Sequence, residues 1–320
     1  MKSFIFIQSE AGVINKNSLE ALCGIQKLTS DLSITAVTFD EQSIETLSGY
    51  NIDRVLHLKN PLLQSYNPLA YVEAIQKIIQ TEQPKLFAFG HTYEARDWVP
   101  RLSARLDIPF ISDCTKIRFE NSTIFTRQIY QGKVACDLTS SSETTILSIQ
   151  SGSYRSDEII SGSSAAVENQ EVDIIDDKRI SQEDKFQESK GTVDLANSEL
   201  IVSIGRGIEK EENIPLAEEL AQAIGADIGS SRPVVDYGWV PHDRQIGSSG
   251  HIVSPKLYLA VGISGAVQHQ VGMKGSEAII AINKDKNAPI FEIADIGIVG
   301  DLFEIIPKLT TAIKEHKQKT

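Results

Sequence analysis

The apolar residues fall into two alternating series of short runs and helical-period stripes. In the first, SFIFIQ, SITAVTF and KLFAFG are short runs rich in β-branched and aromatic residues, of the length expected for buried strands. Between them lie SLEALCGIQKL, PLAYVEAIQKIIQTEQP and ARDWVPRLSARL. In YVEAIQKIIQ, Val72, Ile75, Ile78 and Ile79 recur at helical spacing, which predicts one face packed on a sheet. From Ser3 to about Thr115 the alternation predicts a three-layer α/β/α domain with a mainly parallel, Rossmann-like sheet. The next segment, TKIRFENSTIFTRQIYQGKVACDLTSSSETTILSIQSG, holds β-branched runs broken by Asn, Gly and Ser, and predicts antiparallel strands completing the same domain.

The pattern fades between about Tyr154 and Ala196, where SGSSAAVENQ and DDKRISQEDKFQESK read as a polar linker. A boundary near Glu188 divides the chain into domains 1–187 and 188–320. A second strand–helix series then begins. ELIVSIGRG predicts a strand ending in a glycine turn, and NIPLAEELAQAIG a helix with Pro215 near its start and Gly225 at its end. ADIG, KLYLAV, EAIIAIN and DIGIV continue the alternation, and PKLTTAIKEHK predicts a closing amphipathic helix with Leu309 and Ile313 one turn apart. Four strands of this series lead into small or polar turns, at GRG, SSRP, GISGAVQH and NKD. In an open parallel sheet the ligand crevice lies at the carboxyl ends of the strands, so all four turns are expected to border one crevice.

Composition narrows the function classes. The 320 residues are 41% hydrophobic and 23% charged, ordinary for a globular protein of two domains. The net charge of −12, with no dense basic run, argues against general nucleic-acid binding, which demands a basic face for the phosphates. No apolar run approaches eighteen residues and MKSFIFIQSE reads as a first strand, so a cytoplasmic protein without membrane insertion is expected. Cys23, Cys114 and Cys136 are widely spaced and include no CxxC pair, which suggests neither a disulfide framework nor a metal site.

The strongest chemical signal is LYLAVGISGAVQHQVGM. An apolar strand stops at Gly262, and small residues at Gly262, Ser264 and Gly265 lead into a predicted helix whose first N–H groups would attract an anion, phosphate above all. Two familiar motifs fail here. A hydrolase elbow needs G-x-S-x-G, but Ala266 holds the last place, and the histidines downstream are only His269 and His316. The dinucleotide fingerprint G-x-G-x-x-G begins at Gly205 and Gly207 but falls on Lys210.

The runs GRG, SRPVVDYGWVPHDRQIGSSG, SPKLYLAVGISGAVQHQVGM and AIIAINKDKNAPIFEIADIGIVGDLFEIIPKL closely resemble the alpha subunit of electron transfer flavoproteins, a family that includes FixB. The resemblance spans the second domain and reaches, through SLEAL and FGHTYEARDWVPRLSARLDIPFISDCT, into the first. It implies a nucleotide-alpha-hydrolase-like first domain making subunit contacts and an FAD-binding second domain. It implies a heterodimer with a beta subunit, electrons arriving from acyl-CoA dehydrogenases of fatty acid beta-oxidation, and delivery to a membrane quinone oxidoreductase. The protein is then a redox carrier, and no acid–base pair is needed. AMP or a second flavin in the beta subunit stays open. A flavin- or NAD-dependent oxidoreductase with its own substrate, or an electron-bifurcating homologue using NADH, remains the alternative.

Carried over by position, the cofactor-binding residues are Arg206, Ser231, Arg232, Gln245, Ile246, Gly247, Ser248, Ser249, Ser264, Gly265, Ala266, Val267, Gln268 and His269, with Asn283, Asp301 and Leu302 toward the adenosine end. Arg206 is expected to counter the pyrophosphate charge. Redox tuning is expected from Arg232 beside the ring, His269 as cation or donor at flavin O2, and Ser249 donating to N5. Two departures stand out: Ser248–Ser249 occupies a place where relatives carry Gln–Thr, and Ile204 replaces a glycine of an S-G-G-R-G turn, which suggests a different local bend.

Overall fold

The structure is a computed structural model and describes residues 1–29, 31–130, 132–162, 164–180, 194–196 and 198–317. The chain divides into two compact units, residues 1–186 and 187–320. The boundary expected near Glu188 lies outside the described residues.

The first unit contains β1 (Lys2–Phe6), the small hairpin β2 (Ser9–Glu10) and β3 (Val13–Ile14), α1 (Lys16–Gln26), β4 (Ser33–Thr38), α2 (Ile44–Ser48) and β5 (Arg54–Lys59). It continues with α3 (Pro68–Glu82), β6 (Leu86–Gly90), α4 (Tyr93–Leu106), β7 (Phe110–Phe119), β8 (Thr123–Ile129), β9 (Val134–Leu138), β10 (Thr145–Ile149) and β11 (Ala166–Glu171). Its nine-stranded sheet runs β11-β5-β4-β1-β6-β10-β7-β8-β9. Pairings are parallel up to β7, and β7, β8 and β9 then turn back antiparallel, as the broken β-branched runs predict. Helix α3 starts at an Asn67 cap followed by Pro68, and buries Val72, Ile75, Ile78 and Ile79 against the sheet. Apolar clusters cover both faces, one under α3 and α4 and one under α1.

The polar stretch read as linker is in part a strand. Residues 166–171 of SAAVENQE form β11, in parallel register with β5 from Ala166 opposite Arg54 to Glu171 opposite Lys59. An edge strand exposed on both faces is held by its ladder, so its composition carries no apolar alternation to detect.

The second unit contains β12 (Leu200–Ile204), α5 (Ile214–Ile224), β13 (Asp227–Ser230), α6 (Arg232–Asp236), β14 (Leu257–Val261), α7 (Val267–Val271), β15 (Ile279–Asn283), β16 (Ile296–Val299) and α8 (Leu302–Lys317). Its sheet is wholly parallel, in the order β13-β12-β14-β15-β16. The chain steps from β12 to one side and returns to the other, so the order reverses between β12 and β14. That is the topological switch point where open α/β sheets bind ligands. Helices α5 and α8 cover one face, over a core that includes Val202, Leu259, Val261 and Ile282. Ile204 is a regular member of β12, paired with Val261 and Ser230 and fully buried, so its replacement of a glycine does not bend the strand. Among the described residues no helix is long and apolar enough to cross a membrane.

Candidate functional site

The four polar turns lie at the carboxyl ends of β12, β13, β14 and β15, on one rim of the second sheet. Two of them interlock. The Gly207 N–H donates to the Gly262 carbonyl at 3.0 Å, and a Cβ on Gly205 would stand 2.3 Å from that same oxygen. The glycines of GRG and GISG therefore allow turn to pack on turn. Gly265, at φ +80°, closes the second turn against Ile290, whose N–H donates to the Ser264 carbonyl at 3.0 Å.

The predicted helix after this turn is only five residues, Val267–Val271. So short a helix has little macrodipole, and what remains to attract an anion is its unpaired donors. The N–H groups of Ser264, Gly265, Ala266 and Val267 meet no acceptor among the described residues. Ser264, Ala266 and Gln268 are exposed. Arg206, on the neighbouring turn, is exposed and makes no ion pair among the described residues.

A third segment, residues 245–251, joins this rim. The Ile246 N–H donates to the Ser230 carbonyl at 2.8 Å, and the Ser248 N–H to the Gln268 carbonyl at 2.7 Å, which ties the segment to β13 and α7. Ser248 and Ser249 are exposed, while Gln245, Ile246 and Gly247 are buried. The Gln245 side chain points inward, and its Nε2 donates to both the Ser249 carbonyl and the Ser249 Oγ at 3.0 Å. Gln245 is thus a residue behind the rim.

His269 departs most from expectation. It is 6% exposed, and both ring nitrogens are engaged by protein: Nδ1 with the Ile246 carbonyl at 3.1 Å, Nε2 with the Tyr258 hydroxyl at 2.8 Å. A carbonyl only accepts, so Nδ1 carries the proton and Nε2 accepts from the tyrosine. Burial pushes the imidazole pKa down to about 4, against the opposing pull of the bond to Ile246. In this structure both ring nitrogens are spent on protein, the lowered pKa favours the neutral ring, and the ring braces residues 245–249 against β14. Tyr258, which sequence reasoning passed over, is fully buried and is the other half of that brace. Its one legible signal is a lone hydroxyl within LYLAV.

The remaining residues divide similarly. Arg232 projects into solvent, its side chain 68% exposed, in an i,i+4 pair with Asp236 at 3.3 Å. A pair this exposed holds the guanidinium weakly. Ser231 is buried, and its N–H donates to the Ile204 carbonyl at 2.9 Å. Asn283 spends its amide on the turns, donating to the Ile263 carbonyl at 2.9 Å and accepting from the Asp285 N–H at 2.9 Å. Asp301 caps α8 through the Phe303 N–H at 2.9 Å, and Leu302 is buried beside Gly262. These three support the rim in this structure.

Among the described residues the rim thus offers a row of unpaired N–H groups, an unpaired arginine, a second loosely held arginine and an exposed hydroxyl. Those donors suit a pyrophosphate-bearing dinucleotide with an acceptor edge. A groove of about 690 Å³ lies elsewhere, between α5 and the segment Trp239–Pro241 with Arg244. None of Arg206, Ser249 or Ser264 lines it.

Comparison with known proteins bears on the same segments. The family model for the electron transfer flavoprotein domain matches residues 3–175, and that for the electron transfer flavoprotein FAD-binding domain matches residues 194–274. The electron transfer flavoprotein subunit alpha of Bacillus subtilis is 36% identical over 308 residues, covering 95% of this chain and 94% of that protein. The probable mitochondrial electron transfer flavoprotein subunit alpha of Caenorhabditis elegans is 37% identical, covering 92% and 89%. The acryloyl-CoA reductase electron transfer subunit beta of Anaerotignum propionicum is 34% identical, covering 98% and 96%.

Proposed function

The chain belongs to the electron transfer flavoprotein alpha-subunit family, and from that premise we propose that it is a redox carrier holding one FAD on the carboxyl rim of its second unit. It works as a heterodimer with a beta subunit in the cytoplasm, takes electrons from acyl-CoA dehydrogenases of fatty acid beta-oxidation, and passes them to a membrane quinone oxidoreductase. The bound flavin supplies the electron chemistry. This chain's residues bind and orient it. Arg206 and the N–H groups of Ser264–Val267 meet the pyrophosphate charge, Ser249 offers its hydroxyl to the ring nitrogen N5, and Arg232 supplies positive charge beside the ring. The observation that carries the reading is the convergence of Arg206, the N–H groups of Ser264–Val267 and the exposed Ser249 and Arg232 on the carboxyl rim of a parallel sheet with a switch point.

The test is to co-express the chain with its beta-type partner and record absorption and nucleotide content. A yellow complex with one FAD per alpha chain, reduced on mixing with an acyl-CoA dehydrogenase and its substrate, is expected. A complex that stays colourless after soaking in excess FAD would sink the reading. The likeness to an acryloyl-CoA reductase subunit favours a second reading, in which the flavin delivers electrons to an acyl-CoA reductase. Flavin reduction by NADH in the complex, without a dehydrogenase, would select it.

A further inference from the structure

We propose that Gln245 is a positioning residue that fixes the direction of the Ser249 hydroxyl proton, turning that hydroxyl into a dedicated donor toward the ligand. The inference rests on the FAD reading above and deepens it. Gln245 is 3% exposed, while Ser249, four residues on, is exposed. One amide nitrogen reaches two atoms of Ser249, the carbonyl and the Oγ, each at 3.0 Å. An amide NH₂ carries two hydrogens and no lone pair to offer, so at both contacts Gln245 donates and Ser249 accepts.

This fixes the polarity at the hydroxyl. With one lone pair of Oγ facing the amide hydrogen, the Ser249 proton cannot point inward and is directed to the solvent side of the loop. A serine alone on an exposed loop would rotate freely among donor and acceptor orientations. The backbone of Gln245 is fixed as well: its N–H donates to the His242 carbonyl at 3.0 Å, and its carbonyl accepts from the His251 N–H at 2.7 Å. The amide is therefore held from a rigid base.

The test uses the complete alpha–beta complex loaded with oxidised FAD labelled with ¹⁵N at N5, a nucleus whose resonance moves downfield when a hydrogen bond to it is lost. Ser249→Ala is expected to move it downfield. Gln245→Met, which removes the amide donor, and Gln245→Glu, whose carboxylate accepts the serine proton and reverses the bond, are expected to move it the same way. In the Ser249→Ala background neither should move it further, and Ser249→Thr should preserve the wild-type position. A resonance unmoved in both Gln245 variants with FAD retained overturns the proposal. So does an equal shift with and without the Ser249 hydroxyl, or loss of FAD from both Gln245 variants while Ser249→Ala keeps it, which would make Gln245 a strut for the loop alone. A wild-type complex that binds no FAD removes the functional reading itself, and this inference with it.

Discussion

Acidification should weaken the second unit through His269, by an amount that follows from its lowered pKa. Its ordinary pKa is 6.5, and burial against Tyr258 and Ile246 carries it down to about 4 in the fold. Above 6.5 the imidazole is neutral whether the chain is folded or not, and its contribution to folding does not change. Between 6.5 and 4 the unfolded chain binds a proton that the folded chain refuses, so stability falls as pH falls. Each pH step in that window costs about 1.4 kcal/mol, about 3 kcal/mol across the whole of it. That is a sizeable share of the total stability of a domain, about 5–15 kcal/mol. The assay is urea unfolding followed by Trp239 emission in a Trp98→Phe background, which leaves the one remaining tryptophan in this unit. With the second unit unfolding in its own transition, its stability should drop steadily from pH 6.5 to 4, and a His269→Asn variant should lose that slope. An imidazole that titrates near 6.5 by NMR, or a slope that survives in His269→Asn, would refute the reasoning.

Two further outcomes follow from the same structure. Gly205→Ala places a methyl 2.3 Å from the Gly262 oxygen and 2.7 Å from the Ile263 Cα, both backbone atoms that cannot swing aside. Forcing the turns apart should cost about 1–3 kcal/mol or more and loosen FAD retention, read by flavin released on gel filtration; full retention at wild-type stability would show that the turns need not interlock. In the first unit Glu20 is 2% exposed, accepts the Gly152 N–H at 2.7 Å, and is pushed up to about 7 by burial. A raised carboxyl pKa means stability lost as pH rises from 4.5 to 7, by about 3 kcal/mol. Glu20→Gln should abolish that slope in urea unfolding read at Trp98 in a Trp239→Phe background.

Periodicity reveals most of the fold because most elements bury one face. Val72, Ile75, Ile78 and Ile79 announce α3, and LYLAV announces β14, through the same residues that pack them. β11 stays hidden, since Val167, Glu168 and Asn169 face solvent and are held by the ladder to β5, the Arg54–Glu168 ion pair and the His57–Asn169 hydrogen bond. The length of α7 is hidden for a related reason: GAVQHQVG has helical character, but closure of Gly272 against Gly247 ends it after five residues, and that is a contact between segments remote in sequence. At the site, residue types point correctly to the rim, and what they leave out is direction. Whether His269 faces a ligand or Tyr258, and whether Gln245 faces outward or toward Ser249, depends on burial, which local sequence does not encode.

The two buried titratable groups act with opposite sign, and this decides how pH stability can be measured at all. Glu20 favours the folded first unit at the acid end of its window, and His269 favours the folded second unit at the neutral end. Between about pH 4.5 and 6.5 the two slopes have similar size, about 1.4 kcal/mol per pH step each. A chain unfolding as one cooperative body would sum them and show almost no pH dependence, although both groups are strongly perturbed. Two separately unfolding units would instead exchange their order of stability as pH rises. Trp98 lies in the core of the first unit and Trp239 in the second, so one chain carries a native reporter for each. A flat global profile therefore says nothing against either pKa, because the same flatness is what their cancellation requires. In that case His269→Asn should unmask the Glu20 slope and Glu20→Gln the His269 slope, and these two variants separate an absent effect from a balanced one.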